Sequence, residues 1–469
     1  MTTTLSPPRP PAAVLRPGRW ITDWNPENTS FWVGTGRGVA RRNLVFSILA
    51  EHFAFSVWLL WSVVAVSLPA AGFAFPVDQL FWLVAVPNLV GSFMRIPYTA
   101  AIGRFGGRNW TTFSAAVLLV PLALMTYCLT TPGTPYWMFL LTAATAGLGG
   151  GNFASSMANI SYFYPERAKG LALGVNAAGG NIGVSVVQLL VPLVVGIGLV
   201  GTAQGGGLWL HNAPMLWLLP VVVATVGAWL FMDNLAVSRA KLRDQVACLW
   251  NRHNWVMSFL YVGTFGSFIG YAAAFPLLIT TQFPGLGLAY LAFLGPLVGS
   301  LARPAGGWIS DRLGGARVTA WNFAAMGLGV LGILLALDMH HFGLFLSAFL
   351  CLFVTSGIGN GSTFRMIPAI YRAQAEAEAE REGVDPGPRL ARARLTAAVV
   401  IGFSSSVGAF GGFLIPRGFG MSISATGSIA TALVVFLGGY AVMVGVTWWY
   451  YLRRRVLVSR APSLAHATV

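Results

Sequence analysis

Charge is what this chain has least of. Only 9% of its 469 residues are Asp, Glu, Lys or Arg, where a soluble domain carries about 25%. That excludes an ordinary water-soluble globule. Acidic side chains are the scarcer kind, 14 against 29 basic ones, for a net charge of +15. Cysteine is nearly missing too. Cys128, Cys248 and Cys351 stand in separate segments, which excludes a disulfide framework and any cysteine metal site. No catalytic dyad, metal cluster or cofactor motif is present, so the expectation is a protein that is not an enzyme and has no cofactor. The first 40 residues contain Pro and Arg but no apolar core. That argues against a cleaved signal peptide and leaves the first apolar run as the insertion signal.

What the chain does have is apolar length, with 56% hydrophobic residues. A spanning helix needs about 20 such residues in a row. Twelve runs qualify, near 43–67, 78–102, 110–130, 136–164, 168–197, 213–234, 255–281, 287–310, 317–337, 342–371, 395–417 and 425–452. Lipid offers backbone groups no partner, so these must be helices. The expected fold is an all-α polytopic membrane protein of twelve transmembrane helices in two six-helix halves. Its parts are a tail and interfacial segment (1–42), a first bundle (43–235), a linker (236–254), a second bundle (255–452) and a tail (453–469).

The basic residues alternate with the spans. Arg9 to Arg42, Arg104 and Arg108, Arg167 and Lys169, Arg239 to Arg252, Arg312 and Arg317, Arg372 to Arg394 and Arg453 to Arg460 all fall on one side, with Arg417 the exception. This is the positive-inside pattern; it places both termini in the cytoplasm and assigns the +15 charge to topology rather than to a nucleic-acid partner. In the linker, Leu242, Val246, Leu249 and Trp250 recur at helical spacing among arginines, which predicts an interfacial amphipathic helix.

One stretch occurs twice. GSFMRIPYTAAIGRFGGRNW (Gly91–Trp110) is echoed 208 residues later by GSLARPAGGWISDRLGGARV (Gly299–Val318). Arg95 aligns with Arg303, and Gly106 with Gly314. Each half therefore sets one arginine deep in an apolar helix, where it costs roughly 3 kcal/mol and stays charged. Neither has a carboxylate nearby in its own segment. A matched pair points to an anion site between the halves. The alternative is that each arginine is satisfied by backbone carbonyls and Asn, Gln or Tyr side chains.

Glu51 and His52 stand near the inner end of the first span. Glu51 could take a proton, or pair with Arg41 or Arg42. The stretch Ala146–Pro192 is glycine-rich, including Gly174, Gly179, Gly180 and Gly183, and embeds Asn152, Asn159, Asn176, Asn181 and Gln188. Small residues let membrane helices approach closely, and five amides in two spans predict a polar cavity. GFSSSVGAFGGFLIP (Gly402–Pro416) takes the matching place in the second half. Arg365 lies nearer the cytoplasmic end than Arg303. It either helps an anion leave or snorkels to the surface.

Two halves of six spans with GGWISDRLGG (Gly306–Gly315) after the eighth resemble the major facilitator superfamily. Gly103 stands where Asp311 stands in the second copy, so the loop signature is weaker in the first half. GGNFASSMANISYFYP (Gly150–Pro165) and the glycine-rich fifth and eleventh spans resemble the nitrate/nitrite porter family, closest to its bacterial NarK type, from ITDWNPE at Ile21 to the last span. The resemblance implies that Arg95 and Arg303 clamp the anion. It also implies that Phe55, Phe153, Asn181, Tyr261 and Phe265 surround it, and that Gly179, Gly180 and Gly408 to Gly412 are signature glycines. Asp311 and Arg312 would latch the cytoplasmic gate, and Gly174, Gly183 and Gly412 would serve the moving helices. Arg365 is not carried over from the family.

Nitrate and nitrite are then the expected substrates, moved across the bacterial cytoplasmic membrane by alternating access, with a monomer sufficient. Two guanidinium forks suit a flat oxyanion. An empty site leaves two facing positive charges, repelling by roughly 2–4 kcal/mol at 4–8 Å, which favours nitrate/nitrite antiport over nitrate–proton symport. A sensor that binds nitrate without moving it is a further reading, disfavoured because no signalling domain is attached. A channel is disfavoured by the paired central residues.

Overall fold

A computed structural model describes residues 15–236, 250–453, 463–465 and 469. Most of the amphipathic helix expected in the linker, including Leu242, Val246 and Leu249, lies outside these residues. Within them the chain is a helical bundle. Ten described helices are long and apolar enough to cross a membrane. The two remaining apolar runs are helical as well. One is Tyr136–Ala146, continued through a 3-10 turn at Gly147–Gly151 into Asn152–Phe163. The other is Leu294–Leu313, which carries Arg303, Asp311 and Arg312.

The helices that build the site are α1 (Arg37–Trp58), α2 (Val77–Phe105), α3 (Asn152–Phe163), α4 (Glu166–Val194), α5 (Arg252–Tyr261), α6 (Ser267–Gln282), α7 (Leu294–Leu313), α8 (Phe342–Glu382), α9 (Gly387–Ala409) and α10 (Gly411–Thr426). Several spans are broken where the sequence disfavours a regular helix. Gly147–Gly151 is a poor α-former, since each glycine costs about 1 kcal/mol in a helix. A π-helical turn, Val262–Gly266, joins α5 to α6; such turns recur at functional sites. Phe410, between Ala409 and Gly411, separates α9 from α10.

The internal repeat is visible in the backbone. Gly106 (φ 87°, ψ 153°) and Gly314 (φ 88°, ψ 131°) end α2 and α7 in the same conformation, one that belongs almost to glycine alone. A Cβ at Gly314 meets nothing closer than Val469 O at 3.6 Å, so Gly314→Ala isolates the backbone strain. We expect it to lower stability by about 1–3 kcal/mol. Gly106→Ala should lower it further, because its methyl would also strike the side chains of Asn234 and Trp20. Thermal unfolding in detergent compares the two; equal and negligible losses would contradict this account.

Three short strands were not expected. Leu15–Arg16 (β1) pairs antiparallel with Trp20–Ile21 (β2), which pairs parallel with Asn234–Leu235 (β3). The tail is held there by a buried carboxylate. Asp233 accepts from Arg19 Nε and Nη2 at 3.0 and 2.8 Å, from Arg42 Nη2 at 2.6 Å and from Asn43 Nδ2 at 2.9 Å. A buried ion needs such partners, and only the tertiary fold brings Arg19 to it.

The halves meet through polar contacts as well as apolar packing. Arg417 in α10 binds Asp78 in α2 at 2.8 Å and lies over the Trp82 ring. This pair sits at the end of the bundle opposite the Gly106 and Gly314 turns. It explains why one basic residue departs from the positive-inside pattern. Asp78→Asn should weaken closure of that end. A single cysteine introduced beside it on a cysteine-free background should label several-fold faster, and unchanged labelling would show that the pair does not hold the halves together.

Candidate functional site

Arg95 is fully buried on α2 and Arg303 is 7% exposed on α7. One aromatic ring joins them. The Arg95 guanidinium carbon lies 4.8 Å from the Phe153 centroid and that of Arg303 lies 5.4 Å from it. Their separation therefore cannot exceed the sum of those distances. Phe265 stacks on Phe153 (5.9 Å, 23°) and on Tyr261 (5.3 Å, 7°), and Arg95 lies 4.8 Å from its centroid as well. The family resemblance implies that Phe153 and Phe265 lie around the anion. Here the same rings hold the guanidinium groups, and cation–π contact offsets part of their desolvation.

Hydrogen bonding divides each arginine into an occupied and an open part. Arg95 donates from Nε to Gly150 O at 3.1 Å and from Nη1 to Ser405 O at 2.8 Å, the latter across the halves. The 3-10 turn at Gly147–Gly151 interrupts the α-helical ladder and presents the Gly150 carbonyl. Satisfaction by backbone carbonyls, the alternative to an anion, is thus half of the answer. Arg95 Nη2 has no partner among the described residues. Arg303 Nη2 donates to the Tyr261 hydroxyl at 3.4 Å, while Nη1 has none. Asn181, 1% exposed on α4, leaves both amide atoms unpartnered. A buried donor without a partner costs about 1–3 kcal/mol, and the two arginines bring their free donors to one ring, that of Phe153.

Other expected residues are placed more peripherally. Phe55 is fully buried and meets Phe153 and Trp58 edge-on, at 6.1 and 5.3 Å; it props the plate that carries the arginines. The signature glycines act through helix approach. Side chains at Gly179, Gly180 and Gly183 would run into Ile48, Glu51 and the His52 carbonyl, so these residues seat α4 on α1. In the second half Gly408 faces the Tyr261 ring. Gly411 lies against the Gly266 backbone, where an added Cβ would come within 2.6 Å of Gly266 Cα. Gly412 meets Ile269, and Asn88 of the other half. Gly174 has open space beside it. Asp311 forms its ion pair with Arg365, and Arg312 lies over Trp308 at 3.9 Å. Both partners of that ion pair belong to the second half.

Glu51 does not pair with Arg42, which is engaged by Asp233. Its Oε2 accepts from Ser156 Oγ and from Asn176 Nδ2 at 2.7 Å. Sequence reasoning also passed over four contributors: Trp58, with the Arg95 guanidinium 5.5 Å from its ring, Phe364, 5.0 Å from that of Arg303, and the carbonyls of Gly150 and Ser405. Trp58 follows Phe55 by one helical turn, which was a usable signal. Nothing in a sequence marks which carbonyls face an arginine. Among the described residues no group of His, Cys, Asp or Glu could hold a metal ion.

Two related helical halves with a buried cationic site at their junction define a membrane carrier of the major facilitator type. The comparisons agree. The family model described as Major Facilitator Superfamily matches residues 53–416. The chain is similar, at TM-score 0.60 and 14% identity over 86% of this chain and 95% of the other, to a bacterial homolog of the human lysosomal transporter Spinster, crystallised inward-facing and occupied. It is 44% identical to the nitrate/nitrite transporter NarU of Salmonella typhimurium, over 93% of this chain and 96% of that one. It is 38% identical to the probable nitrate/nitrite antiporter NarK2 of Thermus thermophilus, over 93% and 97%. The chain belongs to the nitrate/nitrite porter family of the major facilitator superfamily. It is a multi-pass protein of the bacterial cytoplasmic membrane and a transporter, not an enzyme.

Proposed function

We propose that this protein exchanges nitrate for nitrite across the membrane by alternating access, with the anion held between Arg95 and Arg303. The observation that carries this is the set of buried donors without partners among the described residues: Arg95 Nη2 and Arg303 Nη1 beside Phe153, with Asn181 Nδ2 a further one. They suit an acceptor-only ligand. Nitrate offers three coplanar oxygens and a single charge, and nitrite keeps two of those oxygens. Sulfate and phosphate are tetrahedral and more strongly hydrated, so they are rejected. The names of the relatives, two of them transporters and one a probable antiporter, support the same substrates. One chain supplies the whole site, so a monomer suffices.

Exchange follows from charge. The anion is what allows two guanidinium groups to be occluded together; without it they repel by about 2 kcal/mol at about 8 Å and effective dielectric 20. An empty carrier therefore changes sides slowly. Asp78–Arg417 closes one end, and the Asp311–Arg365 pair lies at the other end, within one half. The Gly408–Gly412 stretch against Tyr261, Gly266 and Ile269 is where the second half would flex.

The test is nitrate uptake into proteoliposomes loaded with nitrite or with inert buffer, with and without a pH gradient. Uptake that requires internal nitrite and ignores the gradient is expected. Uptake into buffer-loaded vesicles driven by protons would replace exchange with symport, and binding without uptake would make the protein a sensor.

A further inference from the structure

A proline inside a helix leaves one carbonyl without its backbone partner, because the ring nitrogen has no N–H for the residue four positions back. Pro276 does this to Ala272 in α6. In a membrane such a carbonyl needs a donor from a neighbouring helix. Here the donor comes from the other half of the protein. Gln188 Nε2, on α4, donates to Ala272 O at 2.7 Å. The same amide donates to Ser62 Oγ at 3.1 Å, just past the break in the first span between Trp58 and Trp61. Gln188 and Ala272 are both fully buried.

This bond lies next to the anion site. Gln188 follows Asn181 by seven residues on α4, which is two turns on along the same face and about 10 Å along the axis. Ala272 follows Phe265 by the same interval. Among the described residues, the other hydrogen bonds between the halves run from Arg95 Nη1 to Ser405 O, from Ser406 Oγ to Ser92 O at 2.6 Å and from Arg417 Nη1 to Asp78 Oδ1. Each lies at the level of Arg95 or toward the Asp78–Arg417 end. That end is poor in basic residues, and the positive-inside pattern turns it away from the cytoplasm.

We propose that Gln188 and the Ala272 carbonyl are an inner latch for that end, joined while it is closed and parted on each cycle when it opens. Asp78–Arg417 closes the rim, and Gln188 closes the depth beside the anion. The N–H that Pro276 lacks is what makes the latch. It ties the carbonyl to a side chain of the opposite half instead of to its own helix. On opening, water entering the path takes the place of the amide. This inference rests on the alternating-access reading.

The test is labelling of a single cysteine, Ser185→Cys, in a chain from which Cys128, Cys248 and Cys351 have been replaced. Ser185 lies between Asn181 and Gln188 on the same face of α4 and is buried. A membrane-impermeant thiol reagent is added outside right-side-out vesicles. With Gln188 and Pro276 intact, labelling should be slow. Gln188→Leu cannot donate and should label at least three-fold faster. Pro276→Ala should also label faster, because the new backbone N–H satisfies Ala272 O whether or not the halves meet. Adding Gln188→Leu to Pro276→Ala should then change little. Unchanged labelling in Gln188→Leu would overturn the latch, as would two effects that simply multiply in the double variant. Should Gln188→Leu not insert, Pro276→Ala decides alone, and unchanged labelling there overturns the proposal. A cysteine that never labels from outside, in vesicles that also exchange no nitrate for nitrite, would instead overturn the transport reading itself.

Discussion

Lysine in place of Arg303 should weaken nitrate binding by about ten- to a hundredfold and reduce uptake accordingly. Lysine preserves the positive charge, so any loss measures the fork. A hydrogen bond to a charged group contributes about 1.5–3 kcal/mol, and each 1.4 kcal/mol is about tenfold in affinity. Arg303 makes one long contact, to the Tyr261 hydroxyl at 3.4 Å, and rests on the rings of Phe153 and Phe364. Its variant should therefore fold normally and lose function at the anion. Arg95→Lys should lose binding to a similar degree and stability as well, since Arg95 also bridges Gly150 O and Ser405 O. Calorimetric nitrate affinity and thermal unfolding, measured on both variants, separate the two effects. Native affinity in Arg303→Lys would remove the two-fork clamp, whatever Arg95→Lys does.

A methyl at Gly411 is expected to be the most damaging small change away from the anion. The junction of α9 and α10 meets the π-helical turn between α5 and α6 backbone to backbone. A Cβ on Gly411 would come within 2.6 Å of Gly266 Cα and 3.1 Å of Val262 O, and one on Gly266 within 2.8 Å of Gly408 O. Backbone cannot move aside as a flexible side chain does. Overpacking of this kind costs about 1–3 kcal/mol. It would also shift Tyr261, which precedes the turn, and Phe265 within it, the two residues that contact Arg303 and Arg95. We expect Gly411→Ala to cut exchange at least tenfold while the protein still inserts and purifies. Native exchange rates with a lowered melting temperature would show instead that this contact is structural only.

The buried arginine pair was legible because burying charge in a membrane is costly enough to be informative. Arg95 and Arg303 stand out in apolar runs, 208 residues apart at the same place in a repeated stretch. Gly106 and Gly314 mark the repeat for a different reason, a backbone conformation that excludes other residues. The partners of buried carboxylates were not legible. Asp233 is clamped by Arg19, more than 200 residues away, and Glu51 by Ser156 and Asn176 rather than by Arg42. Periodicity places a residue on a helix but says nothing about which distant helix faces it.

The membrane environment, the two halves and the paired arginines follow from one-dimensional features of the chain. Apolar length, scarce charge and a repeated arginine each report a local or one-dimensional cost. The tertiary structure decided how that centre is used. It turned Phe153 and Phe265 into supports for guanidinium groups, engaged half of Arg95 with carbonyls, and left Nη2 of Arg95, Nη1 of Arg303 and the Asn181 amide without partners among the described residues. It also set Glu51 against Ser156 and Asn176. Such outcomes depend on where donors and acceptors converge in space, and helices far apart in the chain settle that only when they pack.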